Sequence, residues 1–318
     1  MNMLRAAAEL ALAAPSIFNT QPWTWVVHPD RLLLRADRQR QLPAVDPSGR
    51  LLTISCGVAL HHAVVALAPA AAEVRLMPDP ADPDVLASLR LRPDRPPDDS
   101  ALALRAAIKR RRTDRRAFAR VPVSTDTVDA LIAACEQQQA HLHVLAWHQT
   151  SQFALAAVRA GALQLSDPDY RAELADWTHR PPWSGDGVPA STTVPAIPRR
   201  VPVRDFAPFG GASLPPGIDN DLGASYAVIY TNVDGVRAWL RAGMALSAVL
   251  LTATAAGLGS APISDVTETF PTRTLMDDML PAGCAQVALR VGHPAPGEPP
   301  ATPRRVPAEV ISEATDPR

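Results

Sequence analysis

The spacing of apolar residues changes several times along the chain, and each change predicts a change of element. Leu4, Ala8, Ala11 and Leu12 recur at helical spacing and predict an N-terminal helix. Trp23 to His28 and Leu32 to Arg35 flank His28-Pro29-Asp30-Arg31, the pattern of two short strands about a turn. Cys56 to Leu67 reads as a second helix. Ser124 is placed to cap a helix that carries Val128, Leu131, Ile132 and Cys135 on one face. A strand from Leu142 to Trp147 and a helix from Gln152 to Leu165 follow. Near the C-terminus, Ala224 to Thr231 predicts a strand, Val236 to Ala256 a long apolar helix, and Ala285 to Val291 a last strand. Helices and strands interleave without strict alternation, so the expected class is α+β rather than a doubly wound sheet.

Residues 4–28 run helix, break, strand, and residues 128–148 do the same, as if one unit had been used twice. Proline marks the joints, with 33 in all. One cluster, Pro78 to Pro97, predicts a division near residue 100, with a first unit over 1–100 and a second over 101–318. The other lies between Arg180 and Asn220, a stretch with no sustained period that nevertheless carries aromatic residues. A loop of that length in a folded domain reads as a lid or as disorder.

Charge narrows the chemistry. With 31 Lys+Arg against 32 Asp+Glu over 318 residues, no overall field draws in nucleic acid or an acidic membrane. Lys109 is the sole lysine, so a lysine phosphate loop is absent and a Schiff-base enzyme would have only that residue to use. Cys56, Cys135 and Cys284 lie far apart, which writes neither a zinc site nor an iron–sulfur cluster, and so sparse a set fits a reducing cytoplasm. Glu9 interrupts the apolar run of the first helix, which argues for a mature helix over a signal peptide. The uncharged stretch from Ala242 to Ser264 is long enough to span a bilayer, but it is mostly small residues and reads as a buried helix.

Three segments can carry chemistry. Lys109 to Arg116, KRRRTDRR, packs six cations into eight residues; the fork of arginine and the Thr113 hydroxyl suit a phosphate monoester. Taken alone, the cluster also fits a solvated face or a general polyanion patch. Ala14 to Trp23, APSIFNTQPW, brings small polar side chains into a turn between two prolines, which suits hydrogen bonding to the rim of a heteroaromatic ring or an ordinary connection. Gly257 to Ile263, GLGSAPI, follows a helix and has Pro262 where a dinucleotide fingerprint needs glycine, so it reads as a turn of small residues under a flat ligand. His141 and His143 share a strand face without a nearby carboxylate, and His61 and His62, adjacent on a helix, are expected to diverge. No serine-hydrolase or zinc-protease motif occurs, and no self-sufficient catalytic set is visible.

RRTDRRAF (Arg111 to Phe118) together with APSIFNTQPWTW (Ala14 to Trp25) resembles the two signatures of the FMN-dependent nitroreductase superfamily, in inverted order. With DPSGRLLTISCGVAL (Asp46 to Leu60), SGDGVP (Ser184 to Pro189) and PRRVPAEVI (Pro303 to Ile311), the chain is similar to the Acg-like branch, in which one chain imitates the superfamily's dimer. The resemblance implies a nitroreductase-like fold, internally duplicated and monomeric or weakly associated, with one tightly bound FMN. By position, Arg111, Arg112 and Thr113 would hold the phosphate, with Arg305 adding a contact. Arg115, or Arg116 if the register slips, would approach the N1–O2 edge of the ring. Pro15, Ser16 and Asn19 would line the flavin, and Pro262, Ile263, Ser264 and Asp265 would lie against it.

The implied reaction is ping-pong transfer of a hydride from NAD(P)H to a nitro compound, quinone or similar small acceptor, with no catalytic side chain. A loop over 180–220 closing as a lid would instead make the protein a flavin store, with Trp183, Phe206 and Phe209 expected to plug the site. A nucleic-acid module built on KRRRTDRR is the outlying alternative, opposed by the near-zero net charge.

Overall fold

Helix α1 (Met3–Ala11) starts at Asn2, whose side chain accepts the Leu4 N–H at 2.9 Å, and buries Leu4, Ala7, Ala8 and Ala11 on one face. The computed structural model describes residues 2–68, 70–92, 99–208, 210–217 and 219–314. After α1 come strands β1 (Trp23–Val27) and β2 (Leu32–Ala36), helix α2 (Arg50–Ala66), and strands β3 (Ala71–Leu76) and β4 (Val85–Arg92). Helix α3 (Asp99–Arg110) leads into α4 (Thr125–Glu136), capped by Ser124 as expected, and β5 (His141–Val144). Helices α5 (Trp147–Ser166) and α6 (Pro168–Thr178) precede the long loop. Then follow β6 (Ser225–Thr231), α7 (Val236–Ala255), β7 (Gly259–Ile263), α8 (Phe270–Asp277), β8 (Cys284–Gly292), the short α9 (Pro307–Val310) and β9 (Ile311–Glu313).

The α+β class holds, and the topology shows the same unit twice. In the first sheet the order is β3-β4-β2-β1, and in the second it is β7-β8-β6-β5, with antiparallel pairing throughout. Even the irregularities correspond: β2 slips its register on β4 between Leu34 and Arg35, and β6 slips on β8 between Ile229 and Tyr230, each two residues before its strand ends. The helix-then-strand echo in the sequence is therefore α1–β1 repeated as α4–β5. The units are also tied together, because β9 at the end of the chain adds to the first sheet, parallel to β1.

Helices α2 and α7 cross at the centre, and glycine makes the crossing possible. A Cβ on Gly57 would sit 2.2 Å from the Leu240 carbonyl oxygen, and one on Gly243 would sit 2.0 Å from that of Ile54. Each of those oxygens belongs to the residue three before the other glycine, so the contact is two-fold. Every residue of α2 except Val64 is buried, as expected for a helix apolar around its whole circumference. α7 is the one helix among the described residues long and apolar enough to cross a bilayer, and 72% of its most apolar window is buried by the rest of the chain.

Several elements differ from expectation for definable reasons. β4 lies within the proline cluster that marks the joint, because the prolines fall at its flanks. The small-residue turn at 259–263 is strand β7; Pro262 is tolerated since β7 is the edge of its sheet. α3 was hidden by its charges, which face solvent along much of its length. Trp147 begins α5 rather than ending a strand. His61 and His62 converge after all, since each Nδ1 lies 2.8 Å from the Ser247 hydroxyl on α7, a position between the two rings that the crossing supplies. Burial pushes His61 down to about 4 and His62 well below its usual value, with the charge of Arg111 adding to the effect on His62.

Gly243→Ala is expected to destabilise the chain by about 1–3 kcal/mol through overpacking against the α2 backbone. Urea unfolding measures it; an unchanged midpoint would mean that the helices separate freely.

Candidate functional site

The turn after α1 is the first wall of the site. Pro15 ends the helix, and Phe18, Asn19 and Gln21 all take left-handed backbone conformations, with φ of 45, 55 and 50°. Such a turn costs about 1–3 kcal/mol per strained residue and needs outside support. Ser16 Oγ accepts the Gln21 N–H at 2.8 Å, Ser55 Oγ of α2 accepts the Ile17 N–H at 3.1 Å, and the Gln21 side chain donates to the Gly185 carbonyl at 2.8 Å. Asn19 is turned away from the cleft: its Nδ2 donates to the carbonyls of Gly187 and Pro303, both at 3.0 Å. It fastens the long loop and the C-terminal tail to the turn.

The arginine segment forms the second wall. It lies alongside β7, where Thr113 bridges to Ser260 and the Asp114 N–H donates to the Ser260 carbonyl at 3.0 Å. Arg290, fully buried on β8, holds it there by donating to the carbonyls of Asp114 (2.9 Å) and Arg116 (2.8 Å) while pairing with Asp221 at 2.5 Å. The register follows. Arg116 is closed into an ion pair with Asp114 at 2.8 Å, whereas Arg115 faces the cleft, with one Nη donating to the Thr192 carbonyl at 3.0 Å.

At one end of the segment three arginines gather without a carboxylate among the described residues. Arg111 is 3% exposed, and its Nε and one Nη have no hydrogen-bond partner among the described residues. Burial pushes it down to about 9, with the charges of Arg304 and Arg112 adding to the fall. Arg304, also pushed down to about 10 by burial and Arg112, donates to the Asn19 side-chain oxygen at 3.0 Å. Arg305, the residue singled out in the sequence, faces the other way and pairs with Asp37 at 3.5 Å. Two adjacent arginines on an extended tail point to opposite sides, so the neighbour is the one that joins the cluster.

Between the walls lies a narrow cleft of about 100 Å³. Pro15, Ser16, Ile17 and Phe18 line it from the turn, Thr113 and Arg115 from the arginine segment, and Pro262 and Ser264 from β7 and its end. Its floor is α2, through Leu51, Ile54, Ser55 and Val58, together with Leu246 of α7. Those four α2 residues follow the i, i+3, i+4, i+7 rule, and three of them, Leu51, Ile54 and Ser55, precede Cys56, where the sequence pattern starts the helix. Ile263 and Asp265 face an adjoining hollow beside Arg204. Buried Asp265 is pushed up to about 6 by desolvation, against the pull of the Arg204 charge.

The long loop enters this cleft. Phe206 meets Phe18 edge-on at 5.6 Å, and the Arg115 guanidinium lies 4.6 Å from its ring centre. Two residues before it, Arg204 is paired with buried Glu268, which also accepts from Ser264 at 2.8 Å and from Gln164 at 2.6 Å. Burial opposes the charge on Arg204, and Glu268, Tyr170 and Asp265 more than offset it, so its pKa is raised. Trp183, expected to plug the site, is 86% exposed and does not. Phe209 lies outside the described residues.

No protein-family model matches the chain. Two Mycobacterium tuberculosis proteins named as provisional NAD(P)H nitroreductases align along it. Rv3131 is 41% identical over 317 residues, covering 97% of this chain and 90% of its own length, and Acg is 36% identical over 320 residues, covering 98% and 95%. The uncharacterised Rv3127 of the same organism is 32% identical over 314 residues, 95% of this chain and 91% of its own. Among solved structures, an FMN-bound nitroreductase from Bacteroides fragilis covers 67% of this chain and 98% of its own at 15% identity and TM-score 0.42. One from Desulfitobacterium hafniense, also with bound FMN, covers 67% and 98% at 14% identity and TM-score 0.41.

Asp265 yields a stability prediction. Its raised pKa means that the folded state binds the proton more tightly than the unfolded chain, so its stabilising contribution is present at low pH and lost as pH rises through about 6. Asp265→Asn, which cannot ionise, should gain roughly 1–3 kcal/mol over the parent at pH 8 relative to any difference at pH 4. Equal urea midpoint differences at the two pH values would show that Asp265 is ordinary.

Proposed function

Since the chain belongs to the Acg-like NAD(P)H nitroreductase family, we propose that it is an FMN-dependent oxidoreductase that uses NAD(P)H to reduce a nitro, quinone or similar small acceptor, with one FMN per chain. The observation that carries this is the cluster of buried Arg111 with half-buried Arg112 and Arg304, uncompensated by any carboxylate and with two Arg111 nitrogens unbonded among the described residues. A phosphate dianion is the group that such a cluster lacks. The cleft that continues from it along Thr113 and Arg115 is walled on both sides by proline and small residues, as a flat ring requires.

When bound, FMN supplies the redox chemistry, taking a hydride from reduced nicotinamide and handing it to the acceptor. The residues of the chain supply the setting. Arg111, Arg112 and Arg304 would neutralise the phosphate, and Arg115 would place a positive charge, held in a desolvated site, where the ring gathers negative charge on reduction. Pro15 to Phe18 and Pro262 to Ser264 would fix the ring plane, and the apolar floor from α2 would exclude water. Phe206 sits where a stacking substrate ring has to enter, so opening of the loop is expected to govern the rate.

The test begins with the absorbance spectrum of the chain reconstituted with FMN. One FMN per chain is expected, bleached on anaerobic addition of NADPH or NADH, and faster by tenfold or more in Phe206→Ala. Arg111→Ala and Arg304→Ala should each weaken FMN binding at least tenfold, and Arg305→Ala by less than threefold. A flavin reduced by dithionite but by neither nicotinamide, in the parent and in Phe206→Ala alike, would replace the reductase with a flavin store. Absence of FMN binding would overturn both.

A further inference from the structure

A second groove, of about 430 Å³, opens where α5 begins and the long loop returns towards β6, and it shares no lining residue with the cleft. Its most conspicuous feature is Trp147, 70% exposed at the first turn of α5. The Arg200 guanidinium stacks over that indole at 3.9 Å and lies 5.9 Å from the ring of buried Tyr226. No carboxylate among the described residues pairs with Arg200. Asp205, the acidic residue nearest in sequence, accepts the Ala207 N–H at 2.8 Å, and Asp219 and Asp221, on either side of Asn220, are paired with Arg120 and with Arg290 and Arg199.

Unbonded polar atoms also gather at this groove. Arg199, with its side chain 1% exposed, spends its two Nη groups on the carbonyls of Arg115 (2.8 Å) and Pro216 (3.1 Å), which leaves its Nε without a partner. Asn220, which also lines the groove, likewise has its side-chain oxygen unpartnered among the described residues. Buried polar groups are normally hydrogen-bonded, so unpaired ones at residues lining a groove are free to receive a ligand.

The combination restricts what that ligand is. Trp147 and Arg200 offer a stacking face, which calls for a flat ring. Arg200 offers an uncompensated cation, which calls for an anion on the same molecule. The Asn220 oxygen needs a donor, which a simple aromatic carboxylate lacks, and an asparagine amide is matched in two places by the edge of adenine. We propose that this groove binds an adenine nucleotide, with the base stacked on Trp147 and Arg200, its amino edge at Asn220 and its phosphate at Arg200. The source is either a free nucleotide or the adenosine half of a nicotinamide dinucleotide. Through Arg199, which also donates to the Arg115 carbonyl, an occupant would bear on the arginine of the cleft.

The experiment is calorimetric titration of AMP into the full chain with excess FMN present, repeated without FMN on Arg111→Ala. The arginine cluster is filled in one case and broken in the other, so the result does not depend on whether flavin binds. Saturable binding with Kd below about 1 mM is expected, weakened at least tenfold in Trp147→Ala and in Arg200→Ala. Both side chains are surface groups whose loss leaves the core intact, which circular dichroism checks. No AMP binding up to about 10 mM, equal binding by both variants, or benzoate binding as tightly as AMP would each overturn the proposal. An NADH affinity that falls in Trp147→Ala along with that of AMP assigns the groove to the dinucleotide, and an NADH affinity that stays constant while that of AMP falls assigns it to the free nucleotide.

Discussion

The close crossing of α2 and α7 is the contact on which the other features rest. Two helices normally pack with axes 8–10 Å apart, because side chains separate them. Here Gly57 and Gly243 bring backbone against backbone, each presenting a Cα–H to a carbonyl of the other helix. The effect is to place α2, which belongs to the first unit, directly under a cleft whose other walls come from both. Leu51, Ile54, Ser55 and Val58 reach the cavity, and Ser55 props the strained turn that forms its rim. If the helices stood further apart, the turn after α1 and the arginine segment after α3 would not face one ligand.

Duplication of the topology did not produce two equal faces, and the difference follows from what covers each sheet. In the first sheet, β1 and β2 alternate buried and half-buried positions, and residues such as Arg75 and Arg90 line a solvated outer face. The second sheet carries near-continuous burial along β6 and β8, because α5 and α8 pack on its outer side through Phe153, Ala156, Ala157 and Met276. The inserted stretch between β5 and β6 that supplies α5 also supplies α6 and the long loop. One insertion therefore buries the second sheet, closes the cleft and forms the second groove, while the first unit has only a four-residue turn at the same point in its topology.

Much of this was legible in the residues, and the misses share a cause. Periodicity identifies elements that bury one face, so α1, α4, β1, β2 and β6 fell close to expectation. It fails where composition speaks for something else. Proline at the ends of β4 imitates a linker, glycine and proline in β7 imitate a turn, and the cations ending α3 conceal a helix. The pairing of Gly57-Val58-Ala59-Leu60 with Gly243-Met244-Ala245-Leu246 is present in the sequence and marks the helix crossing, yet a four-residue match in two apolar helices carries little weight without the fold. The arginine motif stands out in the sequence, but which of its cations are left without a carboxylate does not. Arg115 against Arg116, and Arg304 against Arg305, are separated by Asp114 and Asp37, carboxylates that occupy one member of each pair.

That division of labour among arginines explains how a chain with almost no net charge maintains a strongly positive site. Along the segment and the loop, each acidic residue is committed to particular arginines: Asp114 to Arg116, Asp221 to both Arg290 and Arg199, Glu268 to Arg204. Each of these pairs is buried, and breaking such a pair by removing one partner typically costs about 3–5 kcal/mol. The carboxylates thus hold the backbone rigid, and Arg115, which lines the cleft, and the cluster of Arg111, Arg112 and Arg304 at the end of the segment are left without a carboxylate among the described residues. The loop is caught in the same network, since Arg115 donates to Thr192, Arg199 to the Arg115 carbonyl, and Glu268 accepts from both Arg204 of the loop and Ser264 of the cleft wall. Opening the loop around Thr192 to Phe206 therefore also alters the charge at the cleft, because Arg115 and Ser264, which line the cleft, are among the residues that hold this part of the loop.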